Sequence, residues 1–166
     1  MAIEVERTYL EMTSRGALRD AEAPAPDVRV EHARACPPSF YRYLYAEVGR
    51  AWRWTDRSAW TDDEIRAHLA QPGVAVHVLY TGGAPAGYFE LTRHGDGSCE
   101  ISYFGLLPDA IGRGLGKYLL ARAVDAAWDT GTSRVWLHTC TLDGPAALPN
   151  YLARGFQPYK RETYFA

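Results

Sequence analysis

Apolar and polar residues alternate with period two through Ile3–Met12, which predicts an opening strand. Ala21-Glu-Ala-Pro-Ala-Pro26 interrupts the pattern as a loop inside the domain, and Asp27–His32 resumes the alternation. Pro37 and Pro38 preset φ for a helix start, and Phe40, Tyr43, Leu44 and Val48 follow at the spacing of an amphipathic stripe. Thr61-Asp-Asp-Glu64 reads as a capping box that opens a second helix. Ile65, Leu69 and Ala70 form its apolar side and Pro72-Gly73 its stop. Val74–Thr81 and Ala86–Thr92 alternate on either side of Gly82-Gly83, a hairpin, and Gly95-Asp-Gly97 turns into a third strand, Ser98–Leu106. From about Gly114 to Trp128 the period becomes helical, with Leu119, Leu120, Ala123, Val124 and Ala127 on the buried face. Val135–Thr141 reads as a strand, Ala146–Ala153 as a short helix and Phe156–Phe165 as a last extended stretch. This order predicts an α/β fold, a mixed sheet with helices packed on it.

Composition narrows the classes. A chain of 166 residues, 47% hydrophobic and 23% charged, suits one globular domain over 1–166. Its net charge of −2 lacks the basic field that captures nucleic acid or anionic lipid, so neither is expected as a partner. No apolar run approaches the ~20 residues of a membrane helix, and Met1-Ala-Ile-Glu-Val-Glu-Arg7 lacks a signal-peptide pattern. Cys36, Cys99 and Cys140 are odd in number and far apart, which argues against a disulfide framework and for a cytoplasmic setting. They form no CxxC pairs, so no metal is expected.

The most informative segment is Pro108-Asp-Ala-Ile-Gly-Arg-Gly-Leu-Gly-Lys-Tyr118, between a predicted strand and a predicted helix. Gly112, Gly114 and Gly116 let the backbone turn tightly and let an anion approach its amides. The first amides of the following helix have no internal partner, and the helix dipole adds positive potential there. With Arg113 and Lys117 beside them, they form a cradle for a phosphate or pyrophosphate. A dinucleotide GxGxxG fingerprint fails, because its last glycine falls on Lys117 or Leu119. A Walker loop fails because Ile111 and Tyr118 occupy its glycine and hydroxyl positions.

At these residues the chain resembles the GCN5-related N-acetyltransferase (GNAT) superfamily. Gly114-Leu-Gly116 matches the glycine pair of that family's [Gln/Arg]-x-x-Gly-x-[Gly/Ala] motif, with Ile111 where Gln or Arg is usual. Tyr151-Leu-Ala-Arg-Gly155-Phe156 matches a second motif, with Ala147 in place four residues earlier and Gly144 where Asn is usual. The element order also matches over nearly the whole chain. The resemblance implies a central mixed sheet, mostly antiparallel, with helices on both faces. It also implies acetyl-CoA as co-substrate, with its pyrophosphate on the amides of Ile111, Gly112, Arg113, Gly114, Leu115, Gly116 and Lys117. The pantetheine would lie where two strands splay, against Gly105 and Leu106. The acceptor implied is a primary amine, in a small molecule or a peptide.

An amine must lose a proton before it attacks, and a carboxylate can take it. Glu100 lies at an offset from Gly114 and Gly116 that resembles the catalytic glutamate of the histone-acetyltransferase branch; Glu90, on the adjacent strand, is the other candidate. Tyr151 matches the family tyrosine that protonates the departing thiolate, with the oxyanion held by a backbone N–H near Leu106. His138 orients substrate, relays a proton or serves structure, and Cys140 reads as a small buried side chain. Trp52, Trp54 and Trp60, with Asp56, either wall an acceptor pocket or pack the helix connection. The expected activity is direct acetyl transfer in a ternary complex. The alternatives are transfer of a longer acyl chain and a non-catalytic CoA-binding module. Exposed edge strands leave homodimer formation open.

Overall fold

The computed structural model describes residues 1–166. Its strands are β1 (Glu4–Met12), β2 (Arg29–His32), β3 (Val74–Thr81), β4 (Ala84–Arg93), β5 (Ser98–Leu106), β6 (Arg134–Cys140) and β7 (Gln157–Phe165). Its helices are α1 (Pro38–Gly49), α2 (Asp62–Leu69), α3 (Leu115–Trp128) and α4 (Ala147–Ala153). The strands make one seven-stranded sheet in the order β2-β3-β4-β5-β6-β1-β7. Every neighbouring pair is antiparallel except β5–β6. A parallel pair needs a crossover, and α3 supplies it.

Alternation along the strands divides the core in two. Phe89, Leu91, Ile101, Val135, Leu137, Leu10 and Met12 point to the side where α3 buries Leu119, Leu120, Ala123, Val124 and Ala127. Val76, Val78 and Tyr88 point to the other side, under Leu44 and Val48 of α1 and Ile65 of α2. The helices therefore cover both faces, as expected.

Two helix faces differ from the sequence reading. In α1 the buried residues are Pro38, Tyr41, Leu44, Tyr45, Val48 and Gly49, while Tyr43 is exposed. Aromatic residues crowd this helix, so two adjacent stripes are nearly equivalent; the hydrogen bond from Tyr41 to Glu90 selects the one that faces the sheet. In α2 the capping box forms with both of its bonds, but Ala70 is exposed. His68 turns inward in its place and bonds the same glutamate. No helix is long and apolar enough to cross a membrane.

Candidate active site

The loop between β5 and α3 is built for its turn. Gly112 and Gly114 hold φ of 82° and 75°, a left-handed conformation that a side chain would strain. Leu115 is buried and anchors the start of α3, whereas Ile111, Gly112, Arg113, Gly114 and Lys117 are exposed. The N-cap residue, Gly114, has no side chain with which to cap the helix. No amide from Gly112 to Lys117 donates to a backbone carbonyl or to a side chain. Such a row of donors at a helix N-terminus suits an anion. Asn150 of α4 donates to the Gly116 carbonyl at 3.2 Å and ties the two helices together beside it.

The neighbouring cleft follows from the strand register. β5 and β6 pair only over Ser98–Glu100 with Arg134–Trp136, although both continue beyond. A bulge helps them part: Leu91 faces Ile101 and Glu90 faces Tyr103, which leaves Ser102 extra. From Ile101 to Leu106 the β6-facing backbone groups of β5 have no strand partner, and Phe104, Gly105 and Leu106 are half-buried along the opening. Unpaired strand groups in a cleft suit an amide-bearing ligand.

Tyr151 of α4 stands at this opening. Its ring meets Phe104 edge-on at 6.1 Å and Phe156 at 6.3 Å, and the residue is 7% exposed. Burial, with the Asp143 charge adding, holds its phenol far above the ordinary value, so it keeps its proton. Asp143 itself accepts from Thr139 Oγ1 at 2.5 Å and from the Cys140 amide at 2.9 Å, which closes the end of β6. At Gly144 the missing side chain is used by Trp52: a Cβ there would lie 3.0 Å from its ring. The connection after α1 thus reaches across to the β6–α4 loop.

Glu100 occupies the last rung that β5 shares with β6, opposite Trp136. Its side chain is 15% exposed and receives His94 Nε2 at 2.9 Å. His138 lies two residues beyond Trp136 on the same side of β6, tilted against Tyr9 at 5.5 Å. The residue is exposed, and partial desolvation, with Arg7 acting in the same direction, lowers its pKa from the ordinary value. Tyr9 also stacks with Trp136 at 6.4 Å, making an aromatic floor next to Glu100.

Glu90 is placed differently. It is 0% exposed, with Arg57 Nη1 at 2.7 Å, the Tyr41 hydroxyl at 2.6 Å and His68 Nε2 at 3.0 Å. Burial alone would raise its pKa, but the His68 hydrogen bond and the Arg57 charge outweigh that and hold it below the ordinary value. A carboxylate so enclosed is an ion-pair partner rather than a base. The other tryptophans are absorbed by packing: Trp54 meets Tyr103 at 5.0 Å and Tyr88 at 6.4 Å, and Trp60 meets His68 at 5.1 Å. Asp56 accepts from the Tyr103 hydroxyl at 3.5 Å. Cys140 is half-buried and, like Cys36 and Cys99, unpaired. Sequence reasoning missed Arg57 and His68 altogether. The visible signal was a glutamate inside an otherwise apolar strand, Tyr88-Phe-Glu-Leu91, which needs a cationic partner.

The fold has solved counterparts. A GCN5-related N-acetyltransferase from Kribbella flavida aligns with 96% of this chain and 56% of its own, at 21% identity and a TM-score of 0.70. One from Sphaerobacter thermophilus aligns over 98% and 51%, at 16% identity and a TM-score of 0.70. The chain thus spans about half the length of these two proteins. An aminoglycoside acetyltransferase, meta-AAC0020 from an uncultured soil metagenomic sample, aligns over 80% and 90%, at 16% identity and a TM-score of 0.65. No curated protein matches the sequence. The profile of the Acetyltransferase (GNAT) family matches residues 37–156, which include the unpaired amides, the strand cleft and Tyr151, and the chain belongs to that family.

Proposed function

We propose that the protein transfers an acetyl group from acetyl-CoA directly to a primary amine. The observation that carries this reading is the run of acceptor-free amides from Gly112 to Lys117, next to a cleft of unpaired strand groups. Those amides and the side chains of Arg113 and Lys117 suit the pyrophosphate, and the free edge of β5 at Gly105 and Leu106 suits the amides of the pantetheine. Acetyl-CoA supplies the acyl group as a thioester.

Glu100 takes a proton from the acceptor ammonium, directly or through water, and leaves a free lone pair on the nitrogen. His138, on the same face, is placed to orient the amine. A backbone N–H near Leu106 donates to the carbonyl oxygen as the nitrogen–carbon bond forms and charge gathers there. Tyr151 then gives its proton to the sulfur as the carbon–sulfur bond breaks. The nitrogen, positively charged after attack, loses its second proton through water to the Tyr151 phenolate, which restores the phenol and leaves Glu100 to pass the first proton to solvent. The products are an N-acetyl amine and a free thiol. Burial holds the Tyr151 phenol above its ordinary value, so it carries the proton that the sulfur needs.

The test is thiol release from acetyl-CoA across a library of primary amines, comparing the natural chain with Tyr151→Phe. Release is expected with at least one amine, and Tyr151→Phe should slow it about a hundredfold with the Kd for acetyl-CoA unchanged. Tight acetyl-CoA binding without release for any amine would leave a non-catalytic CoA-binding module instead.

A further inference from the structure

A cavity of about 330 Å³ opens between α1, the connection that follows it and Ile65 of α2. Its walls are aromatic, from Tyr41, Tyr45 and Trp54, and every charged residue that lines it is an arginine: Arg42, Arg50 and Arg57. The carboxylates that pair with them, Asp62, Glu47 and Glu90, stand outside the lining.

Arg57 is the fixed point of this surface. Only its Nη1 is engaged by Glu90 and Tyr41; Nε and Nη2 make no hydrogen bond, yet they are not sealed away from solvent. The guanidinium is held between the rings of Trp60 and Tyr103, at 4.7 and 4.4 Å from their centroids. A cation immobilised in this way, with two free donors in a fork, recognises a carboxylate without further ordering cost. Trp54 separates the cavity from β5, because a Cβ at Gly105 would lie 3.8 Å from its ring. The cavity therefore backs onto the cleft without being part of it.

We propose that this cavity is a second small-molecule site, for an organic monoanion whose charged end meets Arg57 and whose aromatic body lies against the wall formed by Tyr41 and the Tyr45–Trp54 pair, whose rings meet at 5.7 Å. An aryl or arylalkyl carboxylate fits the volume, which lies at the small end of ligand pockets. A free amine does not fit, since no carboxylate lines the cavity to receive it.

The experiment is calorimetric titration of the full chain, with 1H–15N NMR mapping, using benzoate, phenylacetate and indole-3-acetate against benzylamine, phenethylamine and tryptamine. At least one carboxylate is expected to bind below millimolar Kd, with its matched amine at least about tenfold weaker. Shifts should gather on α1 and the connection. Ala46→Trp, made at an exposed position that lines the cavity, should fill it and remove binding while CoA still binds. Arg50→Gln, on the surface at the rim, should weaken binding severalfold without touching the core. Absence of carboxylate binding at millimolar concentration, equal binding of the amines, or shifts that fall on the β5–β6 cleft instead would overturn the assignment.

Discussion

The N-terminus of α3 and the Glu90 cluster flank the same pair of strands, and each gathers groups that water would otherwise solvate. At the helix start the donors face outward, the loop is exposed, and nothing in the chain accepts from Gly112–Lys117. Around Glu90 the carboxylate is enclosed and receives Arg57, Tyr41 and His68. Both regions carry strong fields, but at the helix start no donor has a partner, whereas around Glu90 the carboxylate has all of its partners and only Nε and Nη2 of Arg57 stay free. A buried carboxylate whose partners are complete holds the fold, whereas an exposed row of unpaired donors awaits a ligand. The same contrast separates the two glutamates. Glu90 spends its acceptors on α1, α2 and the connection between them, while Glu100 keeps a partly open carboxylate with a single histidine neighbour.

The largest effect that can break this contrast is at Glu90. Glu90→Gln leaves Arg57 charged and enclosed without a counter-charge, and breaking a buried pair from one side costs about 3–5 kcal/mol. Urea unfolding should show that loss, or a chain that no longer folds. A variant within about 1 kcal/mol of the natural chain would make the cluster incidental to the fold. Tyr41→Phe, which removes one neutral donor, should cost only about 1–2 kcal/mol.

The helix start should answer in the opposite way. Gly116 lies in the first turn of α3 at an ordinary helical φ, and a Cβ there would make only van der Waals contact, 3.7 Å from Leu106 and 3.8 Å from Asn150. Gly116→Glu puts a carboxylate among the free amides, where it satisfies donors, complements the dipole and raises helix propensity. Stability should therefore hold or rise by a few tenths of a kcal/mol, while CoA affinity falls at least about a hundredfold because the anion position is taken. Calorimetry beside a thermal melt separates the two. Unchanged CoA affinity would remove the amide run from its assigned role.

Which parts of this were legible in the chain follows from how local each signal is. The strands, the crossover helix and the capping box rest on residues a few positions apart, so their periods and caps read directly. The glycine loop is equally local, and its unpaired amides are a property of one segment. The placement of Glu90 is not: its partners lie 33 residues away at Arg57 and 22 away at His68, on a connection and a helix whose docking no period encodes. The face of α1 was ambiguous for a related reason. Phe40, Tyr41, Tyr43, Leu44 and Tyr45 offer two adjacent apolar stripes, and the choice is made by a hydrogen bond to another element.

The smallest effect tests a third way of handling a buried ionisable group, which is to keep it neutral. His77 on β3 is stacked between His32 at 4.5 Å and Phe89 at 4.7 Å, and its Nδ1 is buried without a partner. Burial, then the neighbouring His32 and Arg34, depress its pKa from the ordinary 6.5 to about 4. The unfolded chain therefore binds the proton first as pH falls, so the contribution of His77 is fully present above pH 6.5 and is lost progressively down to about pH 4. Glu90 works in a lower window, since a depressed carboxylate loses its contribution only as pH falls below 4.5 and through its folded value. Between pH 7 and pH 5 the loss from His77 should be on the order of 1 kcal/mol in urea unfolding, after discounting for its partial exposure. His77→Phe keeps the stack, removes the orphaned nitrogen and should flatten that part of the pH profile while leaving the steeper fall below pH 4.5 in place. An identical slope in both proteins between pH 7 and pH 5 would show that the stacked histidines carry no charge-linked stability, and the contrast would reduce to its first two members.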